Sequence, residues 1–590
     1  MDGLRTKTRF AVLLAIALVA FLSLSQEGGA QLGREGPPLS SVALLSRFAL
    51  EQGLAAPSFA AEGAEPSAEA EGAAASEAVA AVVGRRDIKV NQDFSLRPQN
   101  ETNIVVNPFS PNMLVAGAND YRLGAPIGAA FYTSFDGGFS WTDGVPPFPL
   151  FVVTTGATVK LTEPPFGTGD PVLAFGRARA GSPGLSAGNP VVYYAYLGVS
   201  ANFCEHGIFV SRSTDGRLWS RPVVPPLAPP DGRFTPVFWN SARNCSVFND
   251  KPWLAVDTSG GPHDGRVYVT WTRFVFNHNR FQESPILMAY SDDNGDTWTG
   301  PIEVSGFSPT LCRHQDSGPA GRCDESQFSS LVVGPDGAAY VAFINQQFRG
   351  ANDGFRNQYL ISRVDPDTLA VSGPFRAAGM IDGEGDFPVN ALGQPTLCGA
   401  NFRLNSAGNL AIAPDGSALY IVFMDNRNGS SFPFPTSVTQ VPQDSFSCPE
   451  GTTTDTDVFI VKSSDGGETW SPPVRVNQDA LGNGRDQWFP FAAVAPNGRV
   501  DVVFYDRRDN PRLTHTYLAR SSDGSLTWTD NRVSDAFSDM NRAFEGGLFI
   551  GDYNGLAIGP DGTSYPFWTD ARTGTPLIRQ SDVVVDIVTP

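Results

Sequence analysis

The chain has 590 residues, a formal net charge of −19 and a pI near 4.7. An acidic surface of this kind repels phosphate backbones and anionic lipid headgroups, so nucleic acids and membrane surfaces are excluded as partners. The length allows either one large domain or several smaller ones.

The first thirty residues have the pattern of an export signal. Three basic residues precede the apolar run Phe10 to Leu24, and Gly28 to Ala30 supply the small residues of a cleavage site before Gln31. The run is shorter than the roughly 20 apolar residues of a membrane span. We therefore expect a secreted or periplasmic protein without membrane contact after cleavage, with an uncleaved anchor as the alternative.

Residues 31–86 are rich in Ala, Glu, Gly, Pro and Ser and carry few large apolar side chains. Such a composition cannot bury a core, so it predicts a flexible linker. A pro-segment that is cut near Arg85-Arg86 is the alternative.

The rest of the chain is organised around a recurring octet, of which the copy from Ser463 to Trp470 is the fullest. The octet predicts a hairpin turn in which the Asp carboxylate accepts backbone N–H groups, glycines take positive φ and the Trp packs on the sheet. Further copies, whole, altered or shortened, lie at Ser134 to Trp141, Ser213 to Trp219, Ser291 to Trp298 and Ser521 to Trp528. Five copies indicate a repeat architecture.

Between Asp87 and Pro590 we identify seven units, each with an apolar strand, a Gly-containing turn, a second strand, a longer connection and a third strand. The short strands and the lack of helical periodicity predict an all-β, seven-bladed β-propeller, with six blades as the alternative. The predicted first strands are Ile104–Val106, Pro171–Phe175, Trp253–Val256, Ser330–Val333, Leu410–Ala413, Phe491–Val494 and Gly555–Ile558.

The N-terminal segment of this domain predicts how the ring closes. Ile88 to Asp93 nearly duplicates Val474 to Asp479, the strand that follows the fullest octet. The last unit lacks such a strand. We therefore expect the N-terminal segment to supply it, which would remove the two exposed sheet edges.

Six cysteines follow the export signal. An even number in an exported chain predicts disulfides, although six cysteines allow fifteen connectivities. Proximity in the repeats favours Cys204–Cys245, Cys312–Cys323 and Cys398–Cys448. All six lie before first strands or after second strands, and therefore on the side of the disc that we call the loop face.

The loop face is the expected site of function, because binding residues concentrate in loops on a rigid scaffold. Arginines there can grip a carboxylate, and Asp or Glu can act as acid or base. The alternative is that the Asp-x-Arg pairs form blade-to-blade ion pairs that repeat with the fold. Four second strands end in Asp-x-Arg, namely Asp120/Arg122, Asp425/Arg427, Asp506/Arg508 and Asp570/Arg572, and Arg273 and Arg507 lie at equivalent places. A second set of polar residues precedes the first strands: Glu101, Asp250 with Lys251, Glu325, and Asp552 with Tyr553.

The octets from Ser134, Ser291 and Ser463 resemble the Asp-box, or BNR, repeats of the sialidase superfamily. Gln99 to Thr102 and Phe549 to Tyr553 further resemble exported bacterial sialidase-like propellers. The resemblance implies an arginine triad for a substrate carboxylate, a Tyr nucleophile paired with a Glu, and an Asp acid/base. For the triad, the resemblance implies Arg122, Arg427 and either Arg507 or Arg572, and it implies Arg273 as a further substrate-binding arginine. The nucleophile would be Tyr505 or Tyr553, with Glu101 or Glu325 beside it. The acid would be Asp120 or Asp552.

The resemblance thus implies a glycoside hydrolase of exo-sialidase type, acting on or binding acidic glycans of a glycan or glycoprotein partner. We expect a monomer without a cofactor or metal site, and a calcium ion on the acidic surface is left as an alternative. The second hypothesis is a non-catalytic extracellular propeller that binds glycan or protein. It is favoured by the seventh blade and by Leu96-Arg97-Pro98, which stands where the family has Arg-Ile-Pro.

Overall fold

A computed structural model describes residues 87–590 except for 123–127, 150–151, 156–157, 162–166, 183, 200–204, 224–234, 241–244, 278–279, 314–318, 347–356, 384, 433–438 and 442–444. The predicted signal peptide and linker lie outside the described residues.

Seven antiparallel sheets follow one another along the chain, each built on four strands, and the third sheet has a fifth strand. The first strands are Gln99–Val106, Gly167–Arg177, Val247–Val256, Ser326–Val333, Leu410–Ile412, Gln487–Val494 and Gly555–Ile558. The second strands are Leu114–Asp120, Pro190–Val199, Val267–Asn277, Ala339–Gln346, Leu419–Asp425, Val500–Asp506 and Ser564–Asp570. The third strands are Gly128–Ser134, His206–Ser213, Ile286–Ser291, Asn357–Val364, Asp457–Ser463, His515–Ser521 and Asp582–Val585. The fourth strands are Thr142–Gly144, Phe238–Asn240, Thr299–Glu303, Val371–Met380, Val474–Arg475 and Thr529–Arg532, with Ile88–Lys89 completing the seventh sheet.

A few elements lie in the connections. The additional strand Arg280–Glu283 pairs with the second strand of blade 3. Two small hairpins are Val152–Thr155 with Thr158–Leu161, and Thr439–Val441 with Ser445–Ser447; the 3-10 turns are Met540–Arg542 and Glu545–Gly547. None of the described residues forms a helix that is long and apolar enough to cross a membrane.

The predicted all-β propeller is confirmed, with seven blades rather than six. Second strands such as Leu419–Asp425 are buried along their whole length. They read as continuous apolar runs because each blade packs its two faces against the neighbouring blades.

The ring closes as predicted. Ile88 pairs with Val585 and Lys89 with Val584, in antiparallel register. The neighbouring blades 7 and 1 are also joined by a hydrogen bond from the Thr102 hydroxyl to the Phe567 carbonyl, at 2.9 Å.

The duplicated Val-Asn-Gln-Asp sequence forms the same buried junction twice. At the closure, the Asn91 amide donates to Asp93 at 2.8 Å and to Gln99 and Asp582 at 3.0 Å each. The Asn91 side-chain oxygen accepts the N–H of Val583 at 3.0 Å. Between blades 5 and 6 the equivalent amide belongs to Asn477, and its acceptors are Asp457, Asp479 and Gln487.

The octets form the predicted hairpin turns on the opposite side of the disc, between third and fourth strands. In the fullest copy the Asp465 carboxylate accepts the N–H of Thr469 at 3.0 Å, and the Trp470 indole N–H donates to the Gly467 carbonyl at 2.9 Å. These hydrogen bonds stabilise the ionised carboxylate and lower the pKa of Asp465 to about 2. Its role is therefore structural.

Two predicted disulfides, Cys312–Cys323 and Cys398–Cys448, are present, and each closes a connection on the loop face. Cys245 is also disulfide-bonded. Its predicted partner, Cys204, lies outside the described residues.

We expect the substitution Asn91→Ala to lower the free energy of unfolding by about 2–4 kcal/mol, because it removes buried hydrogen bonds to two carboxylates and a backbone N–H. Gln92→Ala is the matched control: this neighbouring side chain is exposed, and its amide donates only to backbone carbonyls. Urea unfolding of both variants gives the comparison. Equal stabilities would contradict the importance of the junction.

Candidate functional site

Five of the seven first strands share an irregularity near their start. Each has a shift in strand register and a non-glycine residue with positive φ: Glu101 (60°), Asp170 (55°), Lys251 (50°), Phe328 (54°) and Phe489 (49°). This backbone conformation is uncommon for residues with a Cβ, and bulges of this kind redirect a side chain. In blades 1 to 3 the redirected side chain is charged.

These strand starts lie around the axis of the disc. The ring of Trp253 in blade 3 stacks on that of Phe491 in blade 6, with centroids 6.0 Å apart. First strands of non-adjacent blades therefore meet at the centre. Side chains that leave the strand starts on the loop face converge above this contact.

Six residues meet there, and we call them the axial cluster. Their side chains come from blades 1, 2 and 3, from the connection before blade 5 and from the connection before blade 7. All are buried, Tyr553 being the most exposed at 9%. The axial cluster consists of Glu101, Asp170, Lys251, Arg403, Asp552 and Tyr553.

The strongest contact in the axial cluster is the buried ion pair of Arg403 and Asp552. Arg403 Nε lies 3.0 Å from one carboxylate oxygen, and Nη2 donates to the other. Asn405 donates to the same carboxylate at 3.3 Å. Burial raises the pKa of Asp552, and the Arg403 guanidinium opposes that shift.

Gly551 allows this segment to approach blade 1. Its φ is 92°, and a Cβ there would lie 2.8 Å from the backbone nitrogen of Glu101. Any side chain at this position would push Asp552 and Tyr553 away from the axis.

The carboxyl groups of Glu101 and Asp170 are neighbours in the axial cluster. Asn119 holds both: its amide donates to Glu101, and its oxygen accepts the backbone N–H of Asp170 at 2.8 Å. The pKa of Glu101 is raised well above its ordinary value, first by burial and then by the Asp170 carboxyl. A neighbouring carboxyl group disfavours the ionised form of Glu101, so Glu101 holds its proton to a higher pH than an ordinary glutamate does. In the part of the chain that the structure describes, neither Asp170 carboxyl oxygen meets a hydrogen-bond donor.

Lys251 and Tyr553 complete the axial cluster. The Lys251 ammonium lies 3.8 Å from the Tyr553 ring centroid and 4.7 Å from that of Trp253, which are cation–π distances. Burial lowers the pKa of Lys251, and the surrounding carboxylates oppose that shift. The pKa of Tyr553 is raised, first by burial and then by Glu101.

Three of the predicted site residues, Glu101, Asp552 and Tyr553, are thus brought together. The Asp-x-Arg pairs lie elsewhere and clamp single blades. Arg122 contacts Asp120 at 2.6 Å and Asp143, in the fourth strand of the same blade, at 2.8 Å. Arg508 repeats this contact with Asp506 and Asp530, and Arg427 and Arg572 likewise hold the aspartate two residues before them.

These Asp-x-Arg ion pairs therefore differ from the predicted alternative, in which they join neighbouring blades, since most of them lie within one blade. Arg122 and Arg508 point along the sheet from the second strand toward the fourth, away from the axis. Arg122, Arg427 and Arg572 are held in three separate blades and do not converge on one site.

The remaining predicted residues are also placed outside the axial cluster. Arg273 pairs with Glu283 at 3.1 Å, and Arg507 donates to the Cys398 carbonyl at 3.0 Å. The Tyr505 hydroxyl donates to the Thr569 carbonyl of blade 7 at 2.8 Å. Glu325 is buried where the first strand of blade 4 begins, and its backbone oxygen accepts the N–H of Gln346 at 2.8 Å.

Sequence reasoning missed Asp170 and Arg403. Asp170 had a detectable signal, because Asn100-Glu101-Thr102, Gly169-Asp170-Pro171 and Asp250-Lys251-Pro252 occupy the same place in three repeats. Arg403 lies in a connection between blades without a strand pattern. Its partner, Asp552, is 149 residues away, so no local motif identifies it.

Among the residues that the structure describes, no three His, Cys, Asp or Glu side chains are arranged to hold a metal ion. The calcium alternative stays a prediction.

Comparisons with known proteins give matches to solved structures only; no family model and no curated protein matches the chain. The Hadza microbial sialidase Hz136 is 14% identical over 81% of this chain and 73% of its own, with a TM-score of 0.38. The α-L-arabinofuranosidase Arb93A of Fusarium graminearum is 10% identical over 85% and 97%, also with a TM-score of 0.38. The sialidase of Trypanosoma rangeli is 12% identical over 74% and 56%, with the same TM-score. Two of these three structures are sialidases and one is an arabinofuranosidase.

We expect Arg403→Met to lower the free energy of unfolding by about 3–5 kcal/mol, because it leaves the buried Asp552 carboxylate without its cation. The double variant Arg403→Met with Asp552→Leu removes both charges and should recover most of that loss. Chemical denaturation of the two variants measures the difference. A double variant that is less stable than the single one would contradict this account.

Proposed function

We propose that the protein acts on glycans as a glycoside hydrolase whose active site is the axial cluster, outside the cell. The observation that carries the proposal is the placement of Glu101 and Asp170 side by side around Asn119. A buried carboxyl group with a raised pKa beside a second carboxyl group offers both an acid and a base. Glycoside hydrolysis requires these two functions.

The roles follow from the raised pKa of Glu101. Protonated Glu101 gives its proton to the glycosidic oxygen as the bond to the sugar breaks. Asp170 takes the phenolic proton of Tyr553, and the phenolate oxygen attacks the anomeric carbon to form a glycosyl-tyrosine. Water then hydrolyses that bond while Glu101 accepts a proton from it and Asp170 returns its proton to Tyr553. Tyrosine nucleophiles are an established variant of two-step glycoside hydrolysis.

Asp552 has a supporting role in this proposal. The Arg403 contact keeps its carboxylate in place beside the reacting sugar. A fixed negative charge stabilises the oxocarbenium-like transition state, which develops positive charge on the sugar ring.

The balance of charge bears on the kind of glycan. The axial cluster holds three carboxyl groups against two cations, and one cation, Arg403, is already paired. The arginines Arg122, Arg427 and Arg572 are likewise occupied by carboxylates. A sugar carboxylate would find only the Lys251 ammonium unpaired in the cluster, so we propose a neutral glycan rather than the acidic one that the resemblance implies.

The test is hydrolysis of a panel of fluorogenic glycosides by the full-length protein, with a sialoside and neutral pentosides and hexosides. We expect turnover of a neutral glycoside, and a fall in kcat of about 10²- to 10⁴-fold in Glu101→Gln and in Tyr553→Phe. Tyr505→Phe is the control, because it removes the hydroxyl of an equally buried tyrosine outside the axial cluster. A loss of activity in Tyr505→Phe alone would refute this assignment.

The pH dependence gives a further test. Since Glu101 is the proposed acid, kcat should fall as pH rises through its raised pKa, where its proton is lost. In Asp170→Asn this fall should move to lower pH, because the neighbouring carboxyl group that helps to raise the pKa of Glu101 is gone. An unchanged fall at high pH in that variant would contradict this account.

The second candidate function is a propeller that binds a glycan or protein without catalysis. It is favoured by the burial of the whole axial cluster, in which no side chain is more than 9% exposed. Under this hypothesis the panel shows no turnover, while the protein retains immobilised glycans and Glu101→Gln leaves their binding unchanged.

A further inference from the structure

The sequence at the junction between blades 6 and 7 differs from the sequence that forms the Asn91 and Asn477 junctions. Lys89-Val90-Asn91-Gln92 and Arg475-Val476-Asn477-Gln478 have a third counterpart in Arg532-Val533-Ser534-Asp535. The three valines make equivalent backbone hydrogen bonds: Val90 to Val583, Val476 to Val458 and Val533 to Thr516, at 2.8–2.9 Å. Asp535 therefore stands where the other two junctions have a neutral glutamine.

The surroundings of this position are otherwise repeated. The backbone N–H of Gln92 donates to Asp143 at 3.0 Å, and that of Gln478 donates to Asp530 at 2.8 Å. The N–H of Asp535 donates in the same way to Asp87, at 3.0 Å. Asp87 is thus the blade 7 counterpart of Asp143 and Asp530.

The substitution of an acid for glutamine leaves an excess of negative charge. Arg122 and Arg508 each contact two carboxylates, whereas Arg572 contacts three: Asp87, Asp535 and Asp570. The Asp87 side chain is only 3% exposed. Burial and the nearby Asp535 carboxylate raise the pKa of Asp87 to about 7, which reflects this excess.

The backbone nitrogen of Asp87 lies 3.3 Å from the Asp535 carboxylate. In the intact chain this nitrogen belongs to an amide and carries no charge. The two residues before it are Arg85 and Arg86, at the end of the low-complexity segment. A cut after Arg86 would convert the amide nitrogen into an α-ammonium group at a place where, among the described residues, three carboxylates share the cation of Arg572.

We propose that an arginine-specific endopeptidase cuts the chain between Arg86 and Asp87, and that the new α-ammonium group of Asp87 forms an ion pair with Asp535. The cut consumes one water molecule. The bond between the Arg86 carbonyl carbon and the Asp87 nitrogen breaks, the water oxygen becomes part of the Arg86 carboxylate, and the amine is protonated. Cleavage thus locks the ring-closing strand Ile88–Lys89 onto blade 7.

The test uses two full-length variants that differ only in where an arginine-specific protease can cut. Arg85→Gln leaves a cut after Arg86, which exposes Asp87 as the new terminus. Arg86→Gln leaves a cut after Arg85, which moves the ammonium group one residue, about 3.8 Å of Cα spacing, along the chain. Brief trypsin treatment followed by intact-mass measurement identifies each product. The two products differ by one residue at the new terminus, so the removal of the upstream segment is otherwise matched between them.

We expect the melting temperature of cleaved Arg85→Gln to lie roughly 1 to 2 °C above that of its uncleaved form. The shift is small because one additional ion pair changes the melting temperature of a domain of this size only slightly. Cleaved Arg86→Gln should show no gain, and adding Asp535→Asn to Arg85→Gln should abolish the gain. An equal gain in both variants, no gain in either, or resistance of the Arg86–Asp87 bond to trypsin would overturn the proposal.

Discussion

The closure of the ring depends on a very small piece of sheet. Ile88 and Lys89 pair with Val585 and Val584, and within the described residues no other strand joins the two ends of the propeller. Without this pairing, the third strand of blade 7 would expose an unpaired edge. The Asn91 junction strengthens the closure with buried hydrogen bonds to Gln99 and Asp582.

The axial cluster is a consequence of that closure. Glu101 belongs to blade 1, the first after the closure, whereas Asp552 and Tyr553 lead into blade 7, the last. These residues are distant in sequence and meet only when the ring is shut. The close approach at Gly551, where a Cβ would contact the Glu101 backbone, lies at this same boundary. The proposed chemistry and the integrity of the ring are therefore coupled through one interface.

Similar residue types have different functions in this fold according to where their strands place them. The Asp-x-Arg clamps connect the second and fourth strands of a blade and neutralise their own charges. Arg403 and Asp552 form an equally close pair, yet they lie at the axis with Glu101, Asp170 and Lys251 around them. The left-handed strand starts account for the difference, because they direct charged side chains inward.

This difference explains what the sequence could and could not predict. Strands, octet turns, two disulfides and the closing strand follow from local patterns that repeat, and they were predicted with errors of only a few residues. Glu101, Asp552 and Tyr553 were identified because they adjoin first strands. The direction of Arg122, along the blade rather than toward the axis, depends on Asp143 in the fourth strand and is not encoded in a local pattern. Arg403 required knowledge of how the connection before blade 5 crosses to blade 7.

The geometry of the closing pair also determines how the molecule responds to mechanical load. Since Ile88 faces Val585 in antiparallel register, the chain enters and leaves this pair at the same end. Tension applied between the segment before Asp87 and the C-terminus would peel the pair apart one hydrogen bond at a time instead of shearing all of them together. A propeller tethered through both ends would therefore yield first at its seam, while the other six blades remain intact.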